Sequence, residues 1–269
     1  MESVPLILAY RRYLMRLDEG LKAYKFINAA NKLLDEPRLA EYAELSFKQV
    51  GHLFDKTLYD RFYDQMLVEH PLPEQAVMDD RNFPDRLRWA KRMFKQYNPK
   101  TILDLGCSEG SYSLNIAKAG YDVTGVNLFK ESIELATRRA QSFGLSDSCR
   151  FVQSDILDYK TDKKYDAVML FEVIEHVADP DAVVAHMMDL TTPDGICYIS
   201  TPNGTADEAS TCLGVDLENA AAGEFKGHVR AYTEESLREL VKDYEVLDFY
   251  HSETDSMPLL HVAFKRKNA

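Results

Sequence analysis

Ile102-Leu103-Asp104-Leu105-Gly106-Cys107-Ser108-Glu109-Gly110 decides the architecture of this chain. A short apolar run with an acid inside it meets two glycines, and the second opens onto the amphipathic stretch that begins at Ser111. Glycine belongs where a backbone must bend tightly or approach another group closely. Strand, glycine turn and helix in that order open a parallel α/β unit, although a glycine pattern alone also fits an ordinary strand-to-helix turn. The chemistry of the turn narrows what it could hold. No Gly-Lys-Ser/Thr follows to bind nucleotide phosphates, and Asp104 and Glu109 place negative charge at the helix start. Carboxylates there are poorly suited to a pyrophosphate and suit a ligand carrying positive charge.

Working outward, short β-branched runs alternate with amphipathic segments from residue 100 onward, the mark of a parallel sheet with crossing helices. They predict strands over 101–105, 122–126, 149–153, 165–170 and 195–200, with helices over 111–119, 130–143 and 181–190. A last helix over 234–243 precedes strands over 245–251 and 259–265. Upstream, apolar and aromatic residues recur at helical spacing over 6–17, 21–34, 39–54 and 58–67. His70-Pro71-Leu72-Pro73 breaks that pattern, and a further helix over 83–97 carries the only tryptophan, Trp89. The chain therefore divides into an N-terminal helical cap or lid, residues 1–98, and an α/β domain, residues 99–269.

The carboxyl ends of strands are where open α/β sheets hold ligands. The second strand ends in Gly125-Val126-Asn127-Leu128, and the third runs into Ser154-Asp155-Ile156-Leu157, whose Asp is either a helix cap or a ligand contact. The fourth runs into Phe171-Glu172-Val173-Ile174-Glu175-His176-Val177. If that segment is helical, Glu172, Glu175 and His176 share one face. Such a face supports three readings. The carboxylates are solvated and the histidine is packed; or His176 is a general base for an acceptor hydroxyl; or the three bind a divalent ion that lowers the hydroxyl's pKa. Carboxylates with imidazole suit Mg2+ or Mn2+ better than a structural zinc.

The stretch 102–110, followed by these strand-end motifs in order, resembles the class I S-adenosylmethionine-dependent methyltransferases. The resemblance implies a Rossmann-like seven-stranded sheet with its last strand antiparallel. It implies that Asp104 and the backbone at Gly106, Ser108 and Gly110 surround the methionine part of S-adenosylmethionine, with Cys107, Leu128 and Phe171 lining the same pocket. Asn127 falls where relatives place an acid for the ribose hydroxyls, and Asp155 and Ile156 fall at the adenine. Ser108 and Asn127 are departures from the family pattern. Glu172-Val173-Ile174-Glu175-His176 is similar to the motif of ubiquinone-biosynthesis O-methyltransferases and of small-RNA 3′-terminal ribose methyltransferases. In both groups these residues can ligate a divalent metal together with a histidine beyond the fifth strand, for which His228 is the candidate. The same run also occurs in methyltransferases with no known metal need. The implied reaction is methylation of a small-molecule, natural-product or glycan hydroxyl, with catalytic roles for His176, Glu175 and His228 and S-adenosylhomocysteine as product. RNA ribose methylation, N-methylation of a small amine, and non-catalytic binding of S-adenosylmethionine are the alternatives.

The formal net charge of -12 disfavours a nucleic-acid substrate, since a phosphate polymer would be repelled at long range. The clustered cations at 86–92, 138–139 and 265–267 read as solvated faces of their elements. Cys107, Cys149, Cys197 and Cys212 have no paired spacing, so neither a disulfide framework nor a zinc site is expected. No apolar run approaches the roughly 20 residues that span a bilayer, and a cytoplasmic location is the default. The alanine- and glycine-rich stretch 203–226 is long enough to serve as an acceptor flap. The aromatic N-terminal helices suggest a homodimer interface, and Tyr59, Phe62 and Tyr63 could wall the acceptor pocket.

Overall fold

The computed structural model describes residues 74–78, 84–177, 179–204, 232–252 and 258–267. The expected helices within 6–67, Cys212, His228, the pocket-wall aromatics and most of 203–226 lie outside the described residues. By packing, residues 175–177, 204 and 232 fall in one compact unit and all other described residues in a second, which holds the sheet.

That sheet has seven strands in the order β3-β2-β1-β4-β5-β7-β6. They are β1 (Thr101–Leu105), β2 (Asp122–Asn127), β3 (Cys149–Gln153), β4 (Tyr165–Phe171), β5 (Thr191–Pro202), β6 (Glu245–Ser252) and β7 (Leu259–Lys265). β1 to β5 pair in parallel, and β7 runs antiparallel to both β5 and β6. The expected architecture is met, including the antiparallel last strand. β1 is central, so Ile102, Leu103 and Leu105 are fully buried, as a strand covered on both faces requires. The winding reverses between β1 and β4, and the carboxyl ends there form the topological switch point at which such sheets bind ligands.

The helices are α1 (Glu74–Val77), α2 (Pro84–Tyr97), α3 (Ser111–Lys118), α4 (Lys130–Ser142), α5 (Pro180–Leu190) and α6 (Glu234–Leu240). α2 buries Leu87, Trp89, Ala90, Met93 and Phe94. Its Trp89 meets Tyr198 edge-on at 5.7 Å between ring centroids, and its indole N–H donates to Asp248 Oδ2 at 2.7 Å. α2 stops where Asn98 turns left-handed at φ 53 and its N–H bonds the Phe94 carbonyl, a cap that asparagine tolerates. α5 starts at an Asp179 side chain that accepts from Ala182 N, with Pro180 in the first turn.

Three strand boundaries differ from expectation, each for a physical cause. β2 and β4 each run one residue further, because Asn127 pairs with Gln153 and Phe171 with Ser200. β5 starts at Thr191 rather than 195. Pro193-Asp194-Gly195 has the composition of a turn, yet Tyr165 pairs with Thr191 across a register shift before Ala167 pairs with Ile196. A side chain at Gly195 would approach Thr191 Cβ to 2.7 Å, so the irregularity needs glycine there.

Candidate functional site

β1 delivers Asp104 to the switch point with only 2% of its surface exposed. Ser113 Oγ, from the first turns of α3, donates to its Oδ2 at 2.6 Å. Burial pushes the Asp104 pKa up to about 6; the Ser113 bond opposes this and the charge of Glu109 adds to it.

The turn after β1 is left-handed at three alternate positions, Gly106 (φ 77), Ser108 (φ 52) and Gly110 (φ 83). The N–H groups of Gly106 and Cys107 donate to the Val126 carbonyl at 2.8 and 3.0 Å, and that of Gly110 to the Cys107 carbonyl at 2.9 Å. These amides are thus used inside the protein, and the glycines contribute shape. A Cβ at Gly106 would come within 2.4 Å of Val173, and one at Gly110 within 2.7 Å of Phe151 and 2.9 Å of Ala136. Gly125 on β2 serves the same ring, with Phe151 at 2.6 Å from its missing Cβ. Ser108 holds a left-handed backbone without being glycine, at a cost of roughly 1–2 kcal/mol. Its hydroxyl donates to the Glu109 carboxylate at 2.5 Å, and Ser111 Oγ donates to the same group. Arg139 of α4 reaches this carboxylate at 4.0 Å and donates to the Glu109 carbonyl at 3.2 Å.

Asn127 ends β2 with 7% of its surface exposed, and its Nδ2 is buried with no hydrogen-bond partner. A buried donor left unpaired costs about 1–3 kcal/mol, which a bound acceptor would recover. Past β3, Asp155 Oδ1 accepts from Leu157 N at 2.9 Å and closes a turn; no helix starts there, so the helix cap considered from sequence does not form. Val152 and Leu157, exposed at 37% and 39%, lie to either side of Asp155 in the chain. Ile156 and Leu128 are half-buried, and Phe171 is buried.

The segment after β4 corrects the helical expectation. Glu172 is left-handed at φ 56, and only Ile174–His176 form a single 3-10 turn. Glu172 is fastened to β5 instead: its N–H donates to the Ser200 carbonyl at 3.0 Å, and Ser200 Oγ donates to its Oε1 at 2.9 Å. The guanidinium of Arg86 stands 3.5 Å from the same oxygen and 5.4 Å above the Tyr112 ring. A residue so held to the neighbouring strand does not start a helix. In the other unit, Glu175 is buried and its Oε1 lies 3.9 Å from His176 Nε2. Among the described residues no three His, Cys, Asp or Glu side chains are grouped to hold a metal ion. Of the expected set Glu172, Glu175, His176 and His228, Glu172 faces a cation, and His228 lies outside the described residues.

Residues 78–246 match a family described as a methyltransferase domain. The chain belongs to that family. The methyltransferase domain is 36% identical over 115 residues to a ubiquinone biosynthesis O-methyltransferase of Rickettsia prowazekii, covering 43% of this chain and 45% of that enzyme. The chain thus spans about half the length of such curated relatives. Its fold is shared with the magnesium protoporphyrin IX methyltransferase of Synechocystis, solved with bound SAH, at a TM-score of 0.57 and 18% identity over 81% of this chain and 98% of that one. It is shared equally with the [4+2]-cyclase SpnF, at a TM-score of 0.58 and 14% identity over 83% of this chain and 97% of that one. The class I methyltransferase fold therefore leaves the chemistry to the site.

Within the methyltransferase domain, Asp104, the 106–110 turn and Asn127 come from adjoining strands at their carboxyl ends, as the sequence places them. Sequence reasoning missed Ser113, Phe151, Val173 and Arg86. Only Phe151 left a signal: Gly125 lies inside a strand where no turn calls for glycine, which implies a neighbouring side chain filling its space. Arg139 is a correction: 1% exposed, it is no part of a solvated face, whereas its neighbour Arg138 is exposed.

Proposed function

We propose that this chain transfers a methyl group from S-adenosylmethionine to a hydroxyl oxygen of a small molecule. The observation that carries the acceptor class is the 36% identity to a ubiquinone biosynthesis O-methyltransferase. S-adenosylmethionine bound at the switch point supplies a methyl group on a positively charged sulfur. The Asp104 carboxylate answers positive charge on the donor, the 106–110 turn shapes the floor for its amino-acid arm, and Asn127 Nδ2 donates to a ribose oxygen. Asp155 accepts from the adenine amino group, with Ile156, Leu128 and Phe171 as apolar walls.

His176 takes the hydroxyl proton as the acceptor oxygen attacks the methyl carbon and the carbon–sulfur bond breaks. Glu175, 3.9 Å from its ring nitrogen, stabilises the imidazolium that results. Most of the acceleration comes from holding the two reactants in line. No step is routed through a metal. No described helix is long and apolar enough to cross a membrane.

Calorimetry with S-adenosylhomocysteine, followed by methyl-transfer assays on a panel of phenols and catechols, tests this reading. Micromolar product binding with transfer to oxygen, lost in His176→Asn while binding persists, supports it. Absence of binding, or transfer that survives in His176→Asn, overturns the donor site or the base respectively.

A further inference from the structure

Arg139 is the largest side chain among those fully buried in the described residues, at 1% exposure. It sits on α4 one turn beyond Ala136, the residue that packs where a Gly110 side chain would be. α4 therefore supports the turn after β1 at two successive points: a methyl beneath Gly110 and a cation beneath Glu109. The cation holds Glu109 twice, by its carbonyl at 3.2 Å and its carboxylate at 4.0 Å. That carboxylate also accepts from the hydroxyls of Ser108 and Ser111. Burial lowers the Arg139 pKa, while Glu109, with Glu74 of α1, raises it again and Arg138 lowers it. A guanidinium stays charged through such shifts.

A buried ion pair is a poor source of stability, since apolar residues of similar volume hold a fold as well or better. What this pair supplies is geometry. Ser108 has no glycine freedom at φ 52, and its hydroxyl is anchored on Glu109. An unanchored Glu109 would let the turn relax toward ordinary backbone.

We propose that Arg139 is a positioning residue of the donor site, which from beneath the turn holds Glu109 and so keeps the backbone at Ser108 and Gly110 in the shape that receives the donor's amino-acid arm. This rests on the reading of the turn as part of an S-adenosylmethionine site. Arg139 touches no reacting atom; it acts through Glu109.

The test compares two ligands on the full chain. S-adenosylhomocysteine carries the amino-acid arm, and 5′-methylthioadenosine lacks it. The Arg139→Met/Glu109→Gln double variant removes the pair without stranding a buried charge. It should keep its Tm within a few degrees and its methylthioadenosine affinity within about twofold, while S-adenosylhomocysteine affinity falls about tenfold or more. If the double variant does not fold, Arg139→Lys, which keeps the charge but loses the planar fork, is read by the same ratio. Equal losses for both ligands, or none for either, overturn the role of Arg139 while leaving the donor site in place. Failure of the unaltered chain to bind S-adenosylhomocysteine removes the donor site and the role of Arg139 with it.

Discussion

Ser113 on α3 donates its hydroxyl hydrogen to the Asp104 carboxylate at the end of β1, at 2.6 Å and out of contact with solvent. The bond offsets only part of what burial costs the charged form, and the carboxyl titrates at about 6 rather than 3.8. Because the folded pKa is raised above the unfolded one, the linked stability is full below about pH 4 and is lost as pH rises through about 6. Asp104→Asn should remove this dependence. Between pH 7 and pH 4.5 the unaltered chain should gain about 2 kcal/mol relative to the variant in urea unfolding. A constant difference between the two across that range would contradict the assignment.

The same titration acts on binding with the opposite sign. A positively charged donor is held by the charged carboxylate, so S-adenosylmethionine affinity should fall as pH drops below about 6. Asp104→Asn should bind weakly at every pH. Calorimetry from pH 5 to 8 measures both curves, and a pH-independent affinity in the unaltered chain would count against Asp104 as the group that meets the charge.

Asn127 has a buried amide donor with no protein partner. Replacing it by the similarly sized leucine removes an unmet donor, so Asn127→Leu should lose no stability, or gain about 1 kcal/mol. Its S-adenosylhomocysteine affinity should drop about tenfold, the equivalent of one hydrogen bond. Unchanged affinity would place the ribose elsewhere.

Gly110 combines φ 83 with a Phe151 atom 2.7 Å from where its Cβ would be. Gly110→Ala should cost about 2–4 kcal/mol, the left-handed penalty plus overpacking. Adding Phe151→Leu should return part of the overpacking share and leave the backbone share. Thermal unfolding of the single and double variants reads the split; a purely additive pair would show that the ring is not the obstacle.

Glu172 accepts from Ser200 Oγ and faces Arg86. Glu172→Gln keeps an acceptor for Ser200 and weakens the ion pair with Arg86, whose separation of 3.5 Å is longer than a close hydrogen-bonded pair. Methyl transfer by this variant should stay within about threefold, and added Mg2+ should not alter it. A large loss that Mg2+ restores would reinstate Glu172 as a metal ligand.

Periodicity and turn chemistry are local properties, and they were enough for the parallel sheet, the central β1 and the glycine turn after it. Strand ends were legible for the same reason: a polar residue closing an apolar run, as at Asn127 or Asp155, stands out in the chain. β5 was misplaced at its start because Pro193-Asp194-Gly195 has turn composition, and only pairing across to Tyr165 draws Thr191 into the ladder.

By itself the sequence determined where the chain alternates, where it must turn and which acids end its strands, because each of these is set by neighbours in the chain. Tertiary structure decided what those residues face. Arg138 and Arg139 are adjacent and chemically identical, yet one is exposed and the other is buried against Glu109. Glu172 lies within helical reach of Glu175, yet a hydroxyl from β5 and a guanidinium from α2 hold it in a left-handed bend. In both cases the deciding partner lies far along the chain, where burial and electrostatic pairing are settled by packing.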